Sequence, residues 1–300
     1  MNIEIHSYNS PDQLKLNPEG LYLIFGFGTG DTFNAMIHLC KAAPLREYEL
    51  IIKRPQLNLI IFLLGIYQRR PVRIHVVDHW KHDFSLKIAQ TFPAIPFIRG
   101  MEPNLVKTGL VDVWLNPFNY NKVIPLTDSD VTAIQGFFGA QKPEKALPNN
   151  SVILFTTAGA NFSDYVPPWE QMVHALKDCG IKHVFVNQSG IPDYGDEFIA
   201  GAEPIQLSHE ELIRTVYNPT GRIGLVAVRS GVLDILRFSG ARALVLYQPK
   251  PEGIFTTCRF GLLKHNLDII EAMCLNQSKE HQDQLLDYYV RQFVACPLER

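Results

Sequence analysis

The chain has no paired-cysteine pattern. Its five cysteines, Cys40, Cys179, Cys258, Cys274 and Cys296, are odd in number, scattered and never spaced CxxC. That argues against a disulfide scaffold or a zinc cage and fits a reducing compartment. An excess of basic charge is also missing, since 28 Lys and Arg stand against 30 Asp and Glu, a net charge of -2. A binder of polyanions relies on a basic excess or patch, so nucleic acid is not an expected partner. No run is long enough to span a bilayer. The most apolar stretch, Leu57 to Ile66, contains Asn58 and is followed by Arg69 and Arg70, well short of the roughly 20 residues a spanning helix needs. The opening Met1-Asn-Ile-Glu-Ile-His6 shows no basic segment leading into an apolar one, so no signal peptide is expected. A Walker loop and a Gly-x-Ser-x-Gly elbow are both absent, which leaves P-loop and serine-hydrolase chemistry without support. Glycine and proline, 20 each, are near background and exclude collagen-like or low-complexity architecture.

What is present is an ordinary globular composition. The 300 residues are 46% hydrophobic and 19% charged, enough for a packed core and a length that suits two domains. The expectation is a cytoplasmic, two-lobed protein. The Leu57 run has two readings: a buried helix between strands, or a helix touching a membrane surface among Lys53, Arg54, Arg69, Arg70 and Arg73.

Strand and helix patterns alternate along the first half. Gly20 to Phe25 is a short apolar run ending in glycines, as expected of a buried parallel strand. From Thr32 to Ala42 the apolar residues Phe33, Met36, Ile37 and Cys40 fall on one face of a helix closed by Pro44. Strands are expected at 48–52, 72–77, 95–98 and 111–115, and a helix over 128–138 capped by Asp128 or Ser129. The polar stretch 141–150 holds two prolines and is the best linker. Alternation then resumes with strands at 151–155, 183–187, 223–228 and 243–247. Helices are expected over 168–179, 208–217 and 231–238, the second opened by a Ser208–Glu211 capping box. Repeated strand–helix–strand units imply parallel sheets covered on both faces. The domains expected are 1–145, 151–266 and a helical tail, 267–300, packing back across the linker.

Gly26, Gly28, Gly30 and Asp31 follow the first of these strands and open a helix, where free N–H groups favour anions. A dinucleotide fingerprint G-x-G-x-x-G needs glycine where Asp31 stands. The run also looks like the glycine loop of S-adenosylmethionine methyltransferases, though Ile24 occupies the position of their acidic residue. It is similar, third, to the Gly-Asp turn of two-lobed glycosyltransferases, in which the Asp points into the cleft. A tight turn with Asp31 as helix N-cap is the structural alternative.

From residue 151 onward the chain resembles the heptosyltransferase-like (family 9) branch of GT-B glycosyltransferases. The residues that carry the likeness are Val152 to Phe155, the small-residue loop Thr156-Thr-Ala-Gly-Ala160, Pro167-Pro-Trp-Glu170, the turn Arg229-Ser-Gly-Val-Leu-Asp234, and Ser239-Gly-Ala-Arg242 leading into 243–247. Arg229 stands where the family has Asp, and Asp234 where it has His. The resemblance implies an α/β fold of two Rossmann-like parallel-sheet lobes facing a cleft. It implies transfer of a hexosyl or heptosyl group from a nucleotide-sugar to a hydroxyl of a glycan or lipid-linked acceptor, in surface-polysaccharide assembly, with inversion.

On that reading Asp31 is the base of the first lobe, and Thr156, Thr157 and Gly159 line the donor pocket. Ser230 and Gly231 hold phosphate at a helix start, Arg229 is the counter-charge, and Asp234 orients Arg229 or contacts the sugar. A structural ion pair is the alternative for Arg229 and Asp234. No cofactor or catalytic metal is expected. Asp128 and Asp130 are read as helix caps, and the set His75, Asp78, His79, His82 and Asp83 as solvated or hydrogen-bonding groups in preference to metal ligands. The enzyme is expected at the inner face of the membrane if its acceptor is lipid-linked. A methyltransferase and a non-catalytic GT-B-like binding module are the alternative functions.

Overall fold

Short runs of Val, Ile, Leu and Phe form the central strands, because a strand covered on both faces can bury every residue of such a run. The computed structural model describes residues 3–25, 28–42, 46–68, 71, 73–79, 84–99, 127–156, 167–187, 199–218, 223–228, 230–247, 269–273 and 279–295. The chain divides into two compact units, Met1–Pro125 and Leu126–Arg300.

In the first unit, β1 (Glu4–Tyr8), β2 (Tyr22–Phe25), β3 (Glu49–Lys53), β4 (Arg73–Val77) and β5 (Phe97–Arg99) form one sheet in the order β1-β4-β3-β2-β5. Every pairing is parallel. Helices α1 (Thr29–Ala42), α2 (Leu57–Ile66) and α3 (Phe84–Thr91) make connections. Phe33, Met36, Ile37 and Cys40 are all buried, as their spacing implies. In α2, Leu59, Ile60, Leu63 and Leu64 are buried, which makes it a packed helix on that face. Among the described residues no helix is long and apolar enough to cross a membrane. The strand expected at 111–115 lies outside the described residues.

In the second unit, β6 (Ser151–Phe155), β7 (His183–Asn187), β8 (Glu203–Ile205), β9 (Ile223–Val228), β10 (Ala243–Tyr247) and β11 (Ile269–Met273) form a sheet in the order β11-β10-β9-β6-β7-β8. Here too every pairing is parallel. The helices are α4 (Asp128–Gly139), α5 (Trp169–Asp178), α6 (His209–Tyr217), α7 (Leu233–Leu236) and α8 (Lys279–Ala295). Counted from β6, the strand order is the Rossmann order 3-2-1-4-5-6. The first sheet has the same 3-2-1-4 core counted from β2, with β1 added outside β4.

Several expectations need correction. The division between units falls at Pro125, ahead of α4, and not in the polar stretch 141–150. The reason is packing: Val131, Ile134 and Phe138 of α4 are buried, the Phe138 ring meets Tyr217 of α6 at 4.9 Å, and Gln135 donates to the Phe238 carbonyl at 2.8 Å. The cap of α4 is Thr127. Its Oγ1 accepts from the Asp130 N–H, and the Asp130 carboxylate accepts from the Thr127 N–H at 2.7 Å and hydroxyl at 2.8 Å. Ser208 does cap α6, accepting from the Glu211 N–H at 3.1 Å. Glu211 does not close that box, because its carboxylate accepts the Glu144 N–H instead.

The tail is not uniformly helical. Residues 269–273 extend the sheet, pairing along their whole length with β10, since an available parallel edge outweighs the modest helix preference of Ile-Ile-Glu-Ala-Met. Helix α8 follows. Its Leu286, Val290 and Phe293 join the buried cluster of Val152, Met172 and Val226. The helix expected over 231–238 contracts to the four residues of α7, entered through i to i+3 turns from Ser230 and Gly231.

Candidate functional site

In an open parallel sheet ligands bind outside the carboxyl ends of the strands, where the strand order reverses. In the first unit that point lies between β2 and β5, and β2 runs directly into the glycine loop. Gly26 of that loop lies outside the described residues. Gly28 is exposed, with open space where a Cβ would stand, and its carbonyl accepts the Thr32 N–H at 3.0 Å. Helix α1 begins at Thr29, earlier than its apolar spacing implies, which puts Gly30 and Asp31 in its first turn. Asp31 therefore does not occupy the cap position. The start of α1 is fastened by Thr32, whose hydroxyl accepts from Gln56 Nε2 at 2.7 Å, both residues being buried.

The neighbouring strand ends of this unit are charged. Arg54, just past β3, donates through Nε to Asp78 at 2.6 Å and through Nη2 to Ser7 Oγ at 2.7 Å. The guanidinium holds the Asp78 carboxyl below its ordinary range. Burial pushes the Lys53 ammonium down, and its Nζ sits 5.6 Å from the Phe84 ring centre.

In the second unit the order reverses between β6 and β9. These strands pair in register to Phe155 opposite Ala227, so Thr156 and the turn carrying Ser230 leave the same edge of the sheet side by side. Thr156 is half-buried; Thr157, Gly159 and Arg229 lie outside the described residues. Ser230 is 8% exposed and Asp234 3%, and Gly231 is half-buried. Such depth suits Asp234 to orienting a neighbouring group better than to touching a sugar. With only four helical residues behind it, the turn offers little dipole to an anion.

Three buried polar residues of this unit carry no motif in the sequence. Arg237 is 1% exposed and lays its guanidinium over the Phe238 ring at 4.3 Å. The Tyr217 hydroxyl donates to the Ile235 carbonyl at 2.6 Å. Burial pushes that phenol far above its ordinary range, with the charge of Arg237 pulling weakly the other way. Asn187, at the end of β7, makes both amide bonds to the Leu207 backbone, at 2.9 and 3.1 Å. A polar residue closing an apolar strand (Asn187) and a charge within an apolar run (Arg237) are the signals that mark them.

Among the described residues no group of His, Cys, Asp and Glu is arranged to hold a metal. His75 is buried and bonds to Glu49 and Tyr8, and Asp78 pairs with Arg54. His82 and Asp83 lie outside the described residues.

No protein-family model matches the sequence, and no curated protein matches it. Among solved structures the chain is similar to E. coli heptosyltransferase WaaC with ADP, at a TM-score of 0.53 and 14% identity, over 92% of this chain and 98% of that one. It also superposes on the glycosyl transferase family 9 structure from Veillonella parvula DSM 2008, at a TM-score of 0.44 and 13% identity, over 94% and 99% of the two chains. The first likeness, with the two Rossmann-type sheets, gives the fold as that of GT-B glycosyltransferases, built of two Rossmann-like lobes.

Proposed function

We propose that this chain is a glycosyltransferase that moves a hexosyl or heptosyl group from a nucleotide-sugar to a hydroxyl of a glycan or lipid-linked acceptor. The observation that carries the reading is the placement of Thr156 and Ser230 at the point where the strand order of a 3-2-1-4-5-6 sheet reverses. In this scheme Thr156, Thr157 and Gly159 line the donor site, and Ser230, Gly231 and Arg229 receive its diphosphate. Asp234 orients Arg229. The acceptor oxygen attacks the anomeric carbon while Asp31 takes its proton, and the nucleoside diphosphate leaves with the bonding electron pair. Arg229 offsets the charge that develops on the leaving oxygen. The donor is a substrate, and the scheme assigns no role to a cofactor or metal. Surface-polysaccharide assembly at the inner face of the membrane is the setting that fits a lipid-linked acceptor.

Calorimetric titration with nucleoside diphosphates and with S-adenosylmethionine tests the reading. A diphosphate should bind, and Arg229→Ala should weaken it. Binding of S-adenosylmethionine with no nucleotide bound would overturn the proposal in favour of methyl transfer. Diphosphate binding without turnover of any nucleotide-sugar would favour a binding module.

A further inference from the structure

Strand β1 sits at the edge of the first sheet and buries little. None of its five residues is buried, and its one aliphatic side chain, Ile5, is 40% exposed. Alternation along a strand places Glu4, His6 and Tyr8 on the opposite face from Ile5, the face that carries Arg73 and His75. Beyond its backbone ladder, β1 is attached by the Tyr8 ring, which packs on the cluster of Leu14, Tyr22 and Val77, by Ser7 Oγ, which accepts from Arg54 Nη2, and by a set of polar contacts. Glu4 accepts from Arg73 Nη2 at 2.9 Å and from His6 Nε2 at 2.6 Å. Tyr8 Oη lies 3.3 Å from His75 Nδ1 and 3.4 Å from His6 Nδ1.

His75 is the buried end of this chain of bonds. It stands opposite His6 in β1 and Ile51 in β3 and is shut off from solvent. Its Nε2 bonds the Glu49 carboxylate, which can only accept, so in the neutral ring Nδ1 is the acceptor and the Tyr8 O–H donates to it. The groups that face it are Glu49 from β3, Arg73 on its own strand, His6 and Tyr8 from β1, and Tyr22 from β2, whose ring stands 6.0 Å away. Glu4 acts on it through Arg73 and His6.

We propose that the His75–Glu49 pair is an acid-sensitive latch for β1. A proton on His75 turns Nδ1 into a donor aimed at the Tyr8 oxygen, so the Tyr8 hydrogen must leave it for His6 Nδ1, the longer of the two contacts at 3.4 Å, and a cation is placed in a site closed to solvent on the face that carries Arg73. Burial holds His75 below the ordinary imidazole range, with Glu49 opposing. A group depressed in the docked state contributes its stabilisation above its ordinary value and loses it as pH falls below that value, about 6.5. Release of β1 opens His75 to water, so the loss falls on the edge strand first.

Amide hydrogen exchange across pH 7.5 to 5, corrected for intrinsic rates, tests the latch and is independent of the glycosyl-transfer proposal. Protection of residues 4–8 should fall about tenfold per pH unit below about 6.5, while that of residues 243–247 holds. His75→Gln keeps a donor and an acceptor without titrating, and its β1 protection should not change with pH. A flat profile in the unaltered protein, a fall shared by 243–247, or the same slope in His75→Gln would overturn the proposal. Should His75→Gln not fold, the His75 imidazole titrated by NMR in the unaltered protein decides. A midpoint below the ordinary value is expected, and one at or above it refutes the latch.

Discussion

Gly224 and Phe293 meet so closely that the glycine has no room for a side chain: a Cβ there would stand 2.8 Å from Phe293 Cζ and 3.3 Å from Val152 Cγ2. The ring has little room to withdraw. Phe293 is buried, and its carbonyl accepts from Arg242 Nη1 at 2.5 Å. Gly224→Ala should destabilise the second unit by about 1–3 kcal/mol through overpacking. Urea unfolding should show part of that loss recovered when Phe293→Leu is added.

Thr127 and Asp130 close the start of α4 on each other. Thr127→Ala should cost about 1 kcal/mol, and Thr127→Ser much less, because serine keeps the capping oxygen. Equilibrium unfolding of the two variants side by side checks the difference.

Tyr217 supports the turn of Ser230 and Asp234 through the carbonyl of Ile235. Tyr217→Phe should cost about 0.5–1.5 kcal/mol by removing a buried bond. Burial favours the neutral phenol, so in an ultraviolet titration of the folded protein this tyrosine should stay protonated while exposed ones ionise. If the turn receives the donor, the same variant should raise the KM for donor more than it lowers kcat.

Two substitutions separate the chemical roles assigned to the site. Asp31→Asn should lower kcat by about 10²–10⁴-fold with donor affinity retained, as expected for loss of a general base. Arg229→Ala should weaken binding of the nucleoside diphosphate by about ten- to a hundredfold, the loss of a charged hydrogen bond. Unchanged kinetics and affinity in both variants would remove these residues from the mechanism.

The strands visible in the sequence are those buried on both faces. Runs such as Ser151–Phe155 and Ile223–Val228 are apolar nearly throughout and sit between turn residues, so composition alone marks their ends. β1 and β8 escape that logic. Glu4–Tyr8 has a single aliphatic residue, and Glu203–Ile205 is three residues with a proline in the middle. Each is a strand because a neighbour offers an edge, which is tertiary information. The same holds for α4, whose stripe of Val131, Ile134 and Phe138 shows a buried face but not which unit buries it. Around the turn after β9, Ser230 and Thr156 follow apolar strands in the sequence, and the family resemblance singles them out. Tyr217 and Arg237 were not legible, because burial of a polar group depends on partners distant in the chain.

The second unit draws its earliest strand and its last helix into one cluster, with Val152 and Leu154 packed in the same core as Leu286, Val290 and Phe293. During synthesis, a ribosome that has made β6 through β10 has not yet supplied the side chains that seal that core. Completion of this unit therefore waits on residues near 293. A transcript truncated before α8 would yield a nascent chain with an exposed apolar face, a substrate for chaperones and proteases.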